Sequence, residues 1–297
     1  MAAAQERLLR RRIRSIQAIR KTTRAMELIA SSRIQRAQHR ISGARPYSEA
    51  IRRICSDLAA AAPTSRWASG GQAQGPRVVV VMAGDRGLSG AYNLNVVRAA
   101  EAVLEEGAVS NRVVAVGKRT GSYLRFRGVR LSESFVGVAE RPSFEDASRI
   151  GAAALEILQE QGGGRLDIIS TRWRSMGSQY VERRQVLPLD PRAGVLFDYE
   201  VEPEAEDALE LMVPQLVRSE IFIALLEAAA SEHAARRRAM MAATENADEL
   251  VQELTRQLNR VRQDTITTEI MDIIGGAEAL RKADEATSVE RLLREVA

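Results

Sequence analysis

Residues 9–41 read LRRRIRSIQAIRKTTRAMELIASSRIQRAQHRI and predict one long amphipathic helix at the N-terminus. No glycine or proline occurs from Met1 to Ser42. Apolar and small residues recur at steps of three or four, which places them on one helical stripe. The stripe comprises Leu9, Ile13, Ile16, Ile19, Thr23, Met26, Ala30, Ile34, Ala37 and Ile41. Gly43 and Pro46 then predict a kink or break, after which residues 48–61 can resume as helix.

A second long helix is predicted near the C-terminus. Residues 195–274 contain no glycine, and Pro214, the last proline, is expected in the first helical turn, where proline is tolerated. From Pro214 to Ile274 this helix would be about 90 Å long, so its stripe is expected to pack against the first helix as an antiparallel coiled coil. The stripe comprises Leu216, Ile223, Leu226, Ala230, Arg237, Met240, Thr244, Ala247, Val251, Leu254, Leu258, Val261 and Thr265.

Between the helices, residues 77–200 predict a three-layer, Rossmann-like α/β domain. Residues 78–82, 113–116, 135–138 and 166–171 predict strands, and the alternating residues 180–187 predict an antiparallel edge strand. Helices are expected at 95–106, around Ser122, and at 143–161, where Ser143 is the N-cap. The predicted segments are an N-terminal helix (1–62), a linker (63–76), the α/β domain (77–200), a C-terminal helix (201–280) and a tail (281–297).

The charges are distributed very unevenly along the chain. Residues 1–53 contain fourteen arginines and lysines against three glutamates. Residues 198–232 contain ten acidic residues against Arg218 alone. Two interpretations remain open, namely that these are solvated helix faces, or that each helix meets a partner of opposite charge.

The cysteine content, the apolar runs and the N-terminal sequence indicate where in the cell the protein is expected. The single cysteine, Cys55, cannot form an internal disulfide and suits a reducing compartment. No apolar run is long enough for a membrane span, and no apolar stretch follows the basic residues up to Arg14, so neither membrane insertion nor a signal peptide is expected. We also expect no organellar transit peptide, which favours a bacterial protein.

Residues 84–90, GDRGLSG, lie between a predicted strand and a predicted helix, which invites comparison with phosphate-binding loops. The glycine spacing matches neither GxGxxG nor GxxxxGK[ST]. A tight strand-to-helix turn is therefore favoured, with Asp85 and Arg86 available to contact a neighbouring subunit. A nucleotide-binding α/β enzyme stays open as an alternative.

Catalytic and metal sites are not predicted. His39 and His233 lie within the predicted helices, and Cys55 has no nearby partner, so no catalytic, metal or cofactor-binding residues are assigned. A basic coiled coil that binds nucleic acid is the other open alternative. It is disfavoured because the charges surround an apolar stripe and no zipper or zinc spacing accompanies them.

Several stretches, in the same order along the chain, resemble the gamma subunit of F-type ATP synthases. They are IRSI (13–16), RKTTRAMELIA (20–30), ARPY (44–47), DRGLSGAYN (85–93), AMMAATENA (239–247) and NRVRQDTITTEIMDIIGG (259–276). The chain departs from the usual family pattern at Ser89, Ala91, Met241, Asp264 and Thr268. It also extends past the usual end of the family with the charged, helix-compatible residues 281–297.

The resemblance implies a non-catalytic rotor stalk in the F1 sector, which passes proton-driven rotation to the catalytic beta subunits for ATP synthesis. The implied partners are three alpha and three beta subunits, the epsilon subunit and the membrane c-ring. The implied location is the cytoplasmic face of a bacterial cell membrane, as a peripheral subunit. The partner-contact residues that it implies, together with Asp85 and Arg86, are Lys21, Arg24, Met26, Arg236, Arg262, Gln263 and Thr267.

Overall fold

The computed structural model describes residues 2–68, 76–106, 111–191, 201–202 and 204–295, and the side chains within these ranges from residue 4 to residue 282. Most of the predicted linker (69–75) and part of the acidic stretch before the second helix lie outside the described residues. The helices are α1 (Ala2–Ala61), α2 (Tyr92–Glu105), α3 (Lys118–Phe126), α4 (Phe144–Glu160) and α5 (Ala205–Glu295). The strands are β1 (Arg77–Met82), β2 (Asn111–Val116), β3 (Leu131–Phe135), β4 (Arg165–Trp173) and β5 (Gln179–Leu187).

The chain divides into two compact units. One consists of residues 1–25 and 241–297, and the other consists of residues 26–240. This division cuts through both α1 and α5, whereas the predicted segment boundaries at residues 62 and 201 do not.

Helix α1 is continuous through Gly43 and Pro46, so a break there is wrong, while a kink at these residues stays a prediction. A proline inside a helix removes one backbone hydrogen bond and costs about 3 kcal/mol. Here Pro46 is exposed, while Ile41 and Ile51 on either side of it are buried. Because both flanking turns bury apolar side chains, packing offsets the cost of the proline.

The sheet has the strand order β3-β2-β1-β4-β5. Strands β3, β2, β1 and β4 are parallel, and β5 pairs antiparallel with β4 at the edge, as predicted. Val78, Val80 and Met82 face a core shared with α1, α4 and α5, whereas Val79 and Val81 face a core shared with α2 and α3. The continuous apolar run of β1 is thus buried on both faces, and the three-layer prediction is confirmed.

The shorter elements differ from the predictions mainly at their ends. Ser143 caps α4 as predicted, because its hydroxyl accepts the Asp146 amide while the Asp146 carboxylate accepts the Ser143 amide. Strand β3 ends at Phe135 rather than beginning there, so the predicted strand 135–138 is wrong. Gly137, which has φ 83°, turns the chain just after Phe135.

Helix α5 begins at Ala205, nine residues before Pro214, so this proline lies inside the helix rather than in its first turn. Leu209 and Val213 in the added turns are both fully buried, and this packing holds the helix on the N-terminal side of the proline. At the other end the helix continues through Gly275 and Gly276 into the predicted tail, as far as Glu295.

Within the unit formed by residues 26–240, the segment of α5 from Leu216 to Ala234 is buried almost all round. A cluster made by Ile34 and Ile41 of α1, Trp173 of β4, and Leu226 and Ala230 of α5 joins three elements of this unit. This segment of α5 is thus part of the core of the unit.

In the other unit, the N-terminal part of α1 pairs antiparallel with α5. The Thr23 and Thr244 hydroxyls are 2.8 Å apart, and Arg20 donates to Asp248 at 2.6 Å. Leu9 and Ala247 are buried between the helices. The predicted coiled coil is therefore confirmed here.

Candidate partner-binding surfaces

The pairing of the terminal helices has a definite end. Helix α1 begins at Ala2, 21 residues before Thr23, and Thr265 lies 21 residues after Thr244. Up to Thr265 every residue of the predicted α5 stripe is buried or half-buried, and from Ile266 to Lys282 every described side chain is exposed. Since the opposing helix ends at this level, the apolar side chains beyond it have no neighbour from the described part of α1.

The exposed stretch of α5 after Thr265 is unusually apolar. Its large apolar side chains, between 45% and 71% exposed, are Ile266, Ile270, Met271, Ile273, Ile274 and Leu280. Apolar surface of this extent marks a place where another molecule binds. Of the predicted contact residues, Thr267 lies within this stretch and Arg262 and Gln263 lie just before it, and all three are exposed.

The predicted contact residues of α1 differ in exposure. Lys21 and Arg24 are exposed in the paired-helix unit, and Met26, the first residue of the other unit, is half-buried. The positively charged side chains of Lys21 and Arg24 on α1 are thus accessible to solvent. Their roles in binding a partner stay predictions.

The loop formed by residues 83–91 joins β1 to α2 and is longer than the tight turn that was predicted. Its shape depends on Asp85, whose carboxylate accepts the backbone amides of Lys118 at 2.9 Å, Gly137 at 3.0 Å and Ala139 at 3.2 Å. Leu88 has φ 61° and is 62% exposed. Positive φ is unfavourable for leucine, and such strain is common at binding sites.

The same loop packs closely against α5. A Cβ at Gly84 would lie 2.8 Å from the Glu232 carboxyl group, so a larger residue here would have to displace that side chain. Arg236 donates to Glu232 and, at 3.2 Å, to the carbonyl oxygen of Gly87. Burial raises the pKa of Glu232, and the Arg236 charge opposes that rise.

The predicted contact residues Asp85, Arg86 and Arg236 are therefore brought together by this loop. Arg86 is 71% exposed, with its guanidinium 3.5 Å from Glu140. Arg236 is only 12% exposed and has partners within the chain. Of the three, Arg86 is the side chain most accessible to another subunit.

A buried charge cluster, which sequence reasoning missed, joins α1, β5 and α5. Arg184 donates to Glu220 at 3.1 Å and to Glu227 at 3.4 Å, and both carboxylates are almost fully buried. Arg52 and Arg45 of α1 contact the same two glutamates. The signal in the sequence was a pair of glutamates seven residues apart within an apolar helix.

For Glu220 and Glu227 these contacts correct the interpretation of the acidic segment as a solvated face, whereas Glu206, Asp207 and Glu210 of the same segment are exposed. Glu220 and Glu227 are buried, and they pair with arginines of the basic helix α1 as well as with Arg184. The desolvation of both carboxylates would raise their pKa values. For Glu220 the contacts with Arg52 and Arg184 outweigh burial and lower the pKa, whereas for Glu227 burial dominates and the pKa is raised.

The described residues offer little support for a metal site, a reactive thiol or a membrane-spanning helix. No group of three or more potential metal ligands occurs there, and burial raises the pKa of the Cys55 thiol to about 12, which makes it unreactive. In the same part of the chain no helix has the length and apolar character that a membrane crossing requires.

Comparison with known proteins identifies the family. The family model described as ATP synthase matches residues 5–280. The ATP synthase gamma chain of Frankia casuarinae is 42% identical over 294 residues, covering 94% of this chain and 98% of that protein. The gamma chain of Thermobifida fusca is 41% identical over 297 residues, with the same coverage.

Solved structures share the fold. A chain from the mitochondrial ATP synthase of Euglena gracilis, in a structure of its OSCP, F1 and c-ring, has a TM-score of 0.67 at 18% identity and covers 95% of this chain and 96% of its own. A chain from the central stalk and c-ring of the Tetrahymena thermophila enzyme has a TM-score of 0.60 at 23% identity, covering 75% of this chain and 99% of its own. On the strength of the sequence matches along almost its whole length, the chain belongs to the family of ATP synthase gamma chains.

Proposed function

We propose that this gamma chain is the central rotor of its ATP synthase and transmits torque between a membrane c-ring and three pairs of alpha and beta subunits. Membership of the family makes it a non-catalytic subunit. The observation that carries the proposal is the pair of continuous terminal helices, whose contact ends at Thr265 and leaves an apolar helix exposed beyond it. Such a surface suits a surrounding sleeve of subunits.

Torque transmission requires that the helices do not slip within the unit that receives the force. The buried contacts of Arg184 with Glu220 and Glu227, and of both glutamates with α1, fix the helices to the sheet. Breaking such pairs leaves buried charge without compensation, which is strongly unfavourable. The unit formed by residues 26–240 therefore resists relative sliding of its own elements.

Rotation would change the conformation of each beta subunit, because the stalk contacts each of them differently. An asymmetric stalk presents a different face to each beta subunit, and each face stabilises a conformation with its own nucleotide affinity. Exposed basic residues such as Lys21 and Arg24 suit acidic surfaces of the surrounding subunits. Arg262, Gln263 and Thr267 are suited to the part of the sleeve around the exposed end of α5.

The α/β domain would hold the epsilon subunit and rest on the c-ring. In support, the loop of residues 83–91 presents the strained, exposed Leu88 and the exposed Arg86 at its surface. We place the complex at the cytoplasmic face of a bacterial membrane, because the relatives quoted above are bacterial. Neither nucleic-acid binding nor direct membrane insertion forms part of the proposal.

Affinity purification of a tagged copy from native membranes tests the proposal. We expect one copy for each three alpha and three beta subunits, with ATP hydrolysis in the eluate. A chain that is recovered alone, or with nucleic acid, would contradict the rotor function.

A further inference from the structure

A cleft of about 280 Å³ lies within the unit formed by residues 26–240, where α1, α5 and the connection between β3 and α4 meet. Helix α1 contributes Arg33, Arg36 and Arg40, the connection contributes Arg141, and α5 contributes His233. Apolar side chains from the same elements complete the walls. The lining of the cleft does not include residues 84–90, although Arg86 of that loop lies 3.5 Å from the lining residue Glu140.

The charge of the cleft is strongly positive. Four arginines line it, and Glu140, the one acidic side chain among the described residues of its lining, pairs with Arg33 and leaves the other three uncompensated within the lining. Burial lowers the pKa of Arg33, and the charges of Arg86, Arg236, Arg36 and Arg141 lower it further. Like charges held this close repel one another, and a bound anion would relieve the repulsion.

The arginines keep hydrogen-bonding capacity for a ligand. Arg36 donates to the Ser32 hydroxyl at 3.0 Å, and Arg40 donates to the carbonyl oxygen of Pro142. A guanidinium group carries five N–H donors in a planar fork that matches an oxyanion. These single bonds therefore leave most of the donors of both residues available.

His233 provides an independent sign of a ligand. It is only 3% exposed and lines the cleft, and its Nδ1 atom is buried without a hydrogen-bond partner in the described structure. A buried polar atom without a partner costs about 1–3 kcal/mol. With a proton on Nδ1, the imidazole would donate to an anion and recover that cost.

We propose that this arginine cleft binds a phosphate group, either free inorganic phosphate or the phosphate of a small molecule. The cleft has room for a phosphate with a modest attached group, and its apolar walls at Ala229 and Pro142 suit such an attachment. Its small volume disfavours a folded segment of another protein. The proposal does not depend on the rotor function, because it concerns the free chain.

Calorimetric titration of the purified full-length chain tests the proposal, since the nucleotide sites of the assembled enzyme would obscure the signal. The probes are inorganic phosphate, adenosine monophosphate and hexaglutamate. We expect saturable phosphate binding that weakens at least tenfold in Arg36→Gln and in Arg141→Gln. Both side chains are exposed, so these variants should fold.

Arg98→Gln is the matched control, because it removes the same charge from an exposed position on α2. Phosphate should also shift the imidazole NMR signals of His233 in the parent chain. Tighter binding of the monophosphate would identify a nucleotide as the ligand class, and equal binding would identify the phosphate group alone; both support the site.

Three results would overturn the proposal. They are no saturable phosphate binding, an equal loss in Arg98→Gln, or unchanged His233 signals at saturating phosphate. Hexaglutamate binding that depends on Arg36 in the absence of phosphate binding would instead assign the cleft to carboxylates of another protein.

Discussion

Replacement of Arg184 by methionine should destabilise the unit of residues 26–240 severely. Arg184 is 13% exposed and contacts Glu220 and Glu227, which are 3% and 2% exposed. Removing one partner of a buried ion pair costs about 3–5 kcal/mol. The glutamates retain contacts with Arg52 and Arg45, so we expect the lower end, about 3 kcal/mol. For a unit of this size, that corresponds to a fall in Tm of roughly 6–12 °C.

The loss of stability in this variant should also depend on pH. Burial raises the pKa of Glu227, and the charge of Arg184 opposes that rise more than any other nearby charge. A carboxyl group whose pKa is raised on folding stabilises the fold while protonated, and that contribution is lost as pH rises through the folded pKa. Without Arg184 this pKa rises further. The difference in Tm between the variant and the parent should therefore shrink as pH falls from 7 toward the carboxyl range.

Differential scanning calorimetry of the full chain measures this effect, with Arg112→Met as the control. Arg112 lies on β2 of the same sheet and is exposed. We expect the control to lower Tm by at most about 2 °C, as is usual for exposed positions. An equally small fall for Arg184→Met would refute the idea that the buried charge cluster holds the helices to the sheet.

Three further perturbations test other parts of the account. Asp85→Ala should cost about 2 kcal/mol, because three backbone amides lose their acceptor, and should speed hydrogen exchange at those amides; unchanged exchange would contradict the role of Asp85. Burial and nearby arginines lower the pKa of His233 to about 4, so stability should fall by about 3 kcal/mol as pH drops from 6.5 toward 4. Urea unfolding should show a flatter pH dependence for His233→Gln, and an identical slope would count against a neutral buried imidazole. Deletion of residues 266–297 should leave the Tm of the free chain almost unchanged, because the described side chains there are exposed, yet uncouple ATP hydrolysis from rotation in the complex.

The helical stripes could be predicted because they depend on local periodicity. All thirteen residues of the predicted α5 stripe are buried or half-buried. In α1 the exception is Ile19, which is 53% exposed, while its neighbour Arg20 is half-buried and pairs with Asp248. An ion pair between residues 228 positions apart cannot be inferred from the pattern of one helix.

The prolines misled sequence reasoning for a related reason. Pro46 and Pro214 are unfavourable inside a helix when local energetics alone are considered. Both lie within continuous helices because buried residues on either side, such as Ile51 near Pro46 and Leu209 near Pro214, hold the flanking turns in place. Tertiary packing thus overrides the local preference of proline against helix interiors. The sequence pattern shows that preference but not the packing.

The candidate surfaces were only partly predictable. The exposed positions of Arg262 and Gln263 follow from the phase of the stripe, which ends at Thr265. The contacts of Asp85 with three amides, and the arginine cleft with His233, depend on loops and helices that meet only in the folded chain. The distances between such groups come from the fold rather than from spacing along the chain.

As the rotor of its complex, this chain should turn relative to the surrounding subunits. The most direct test attaches a fluorescent probe to the exposed position Arg112, changed to cysteine, in the purified and immobilised enzyme. Cys55 is buried, so within this chain labelling should be confined to the new thiol. We predict unidirectional rotation of the probe during ATP hydrolysis; steady hydrolysis with a stationary probe would contradict the account.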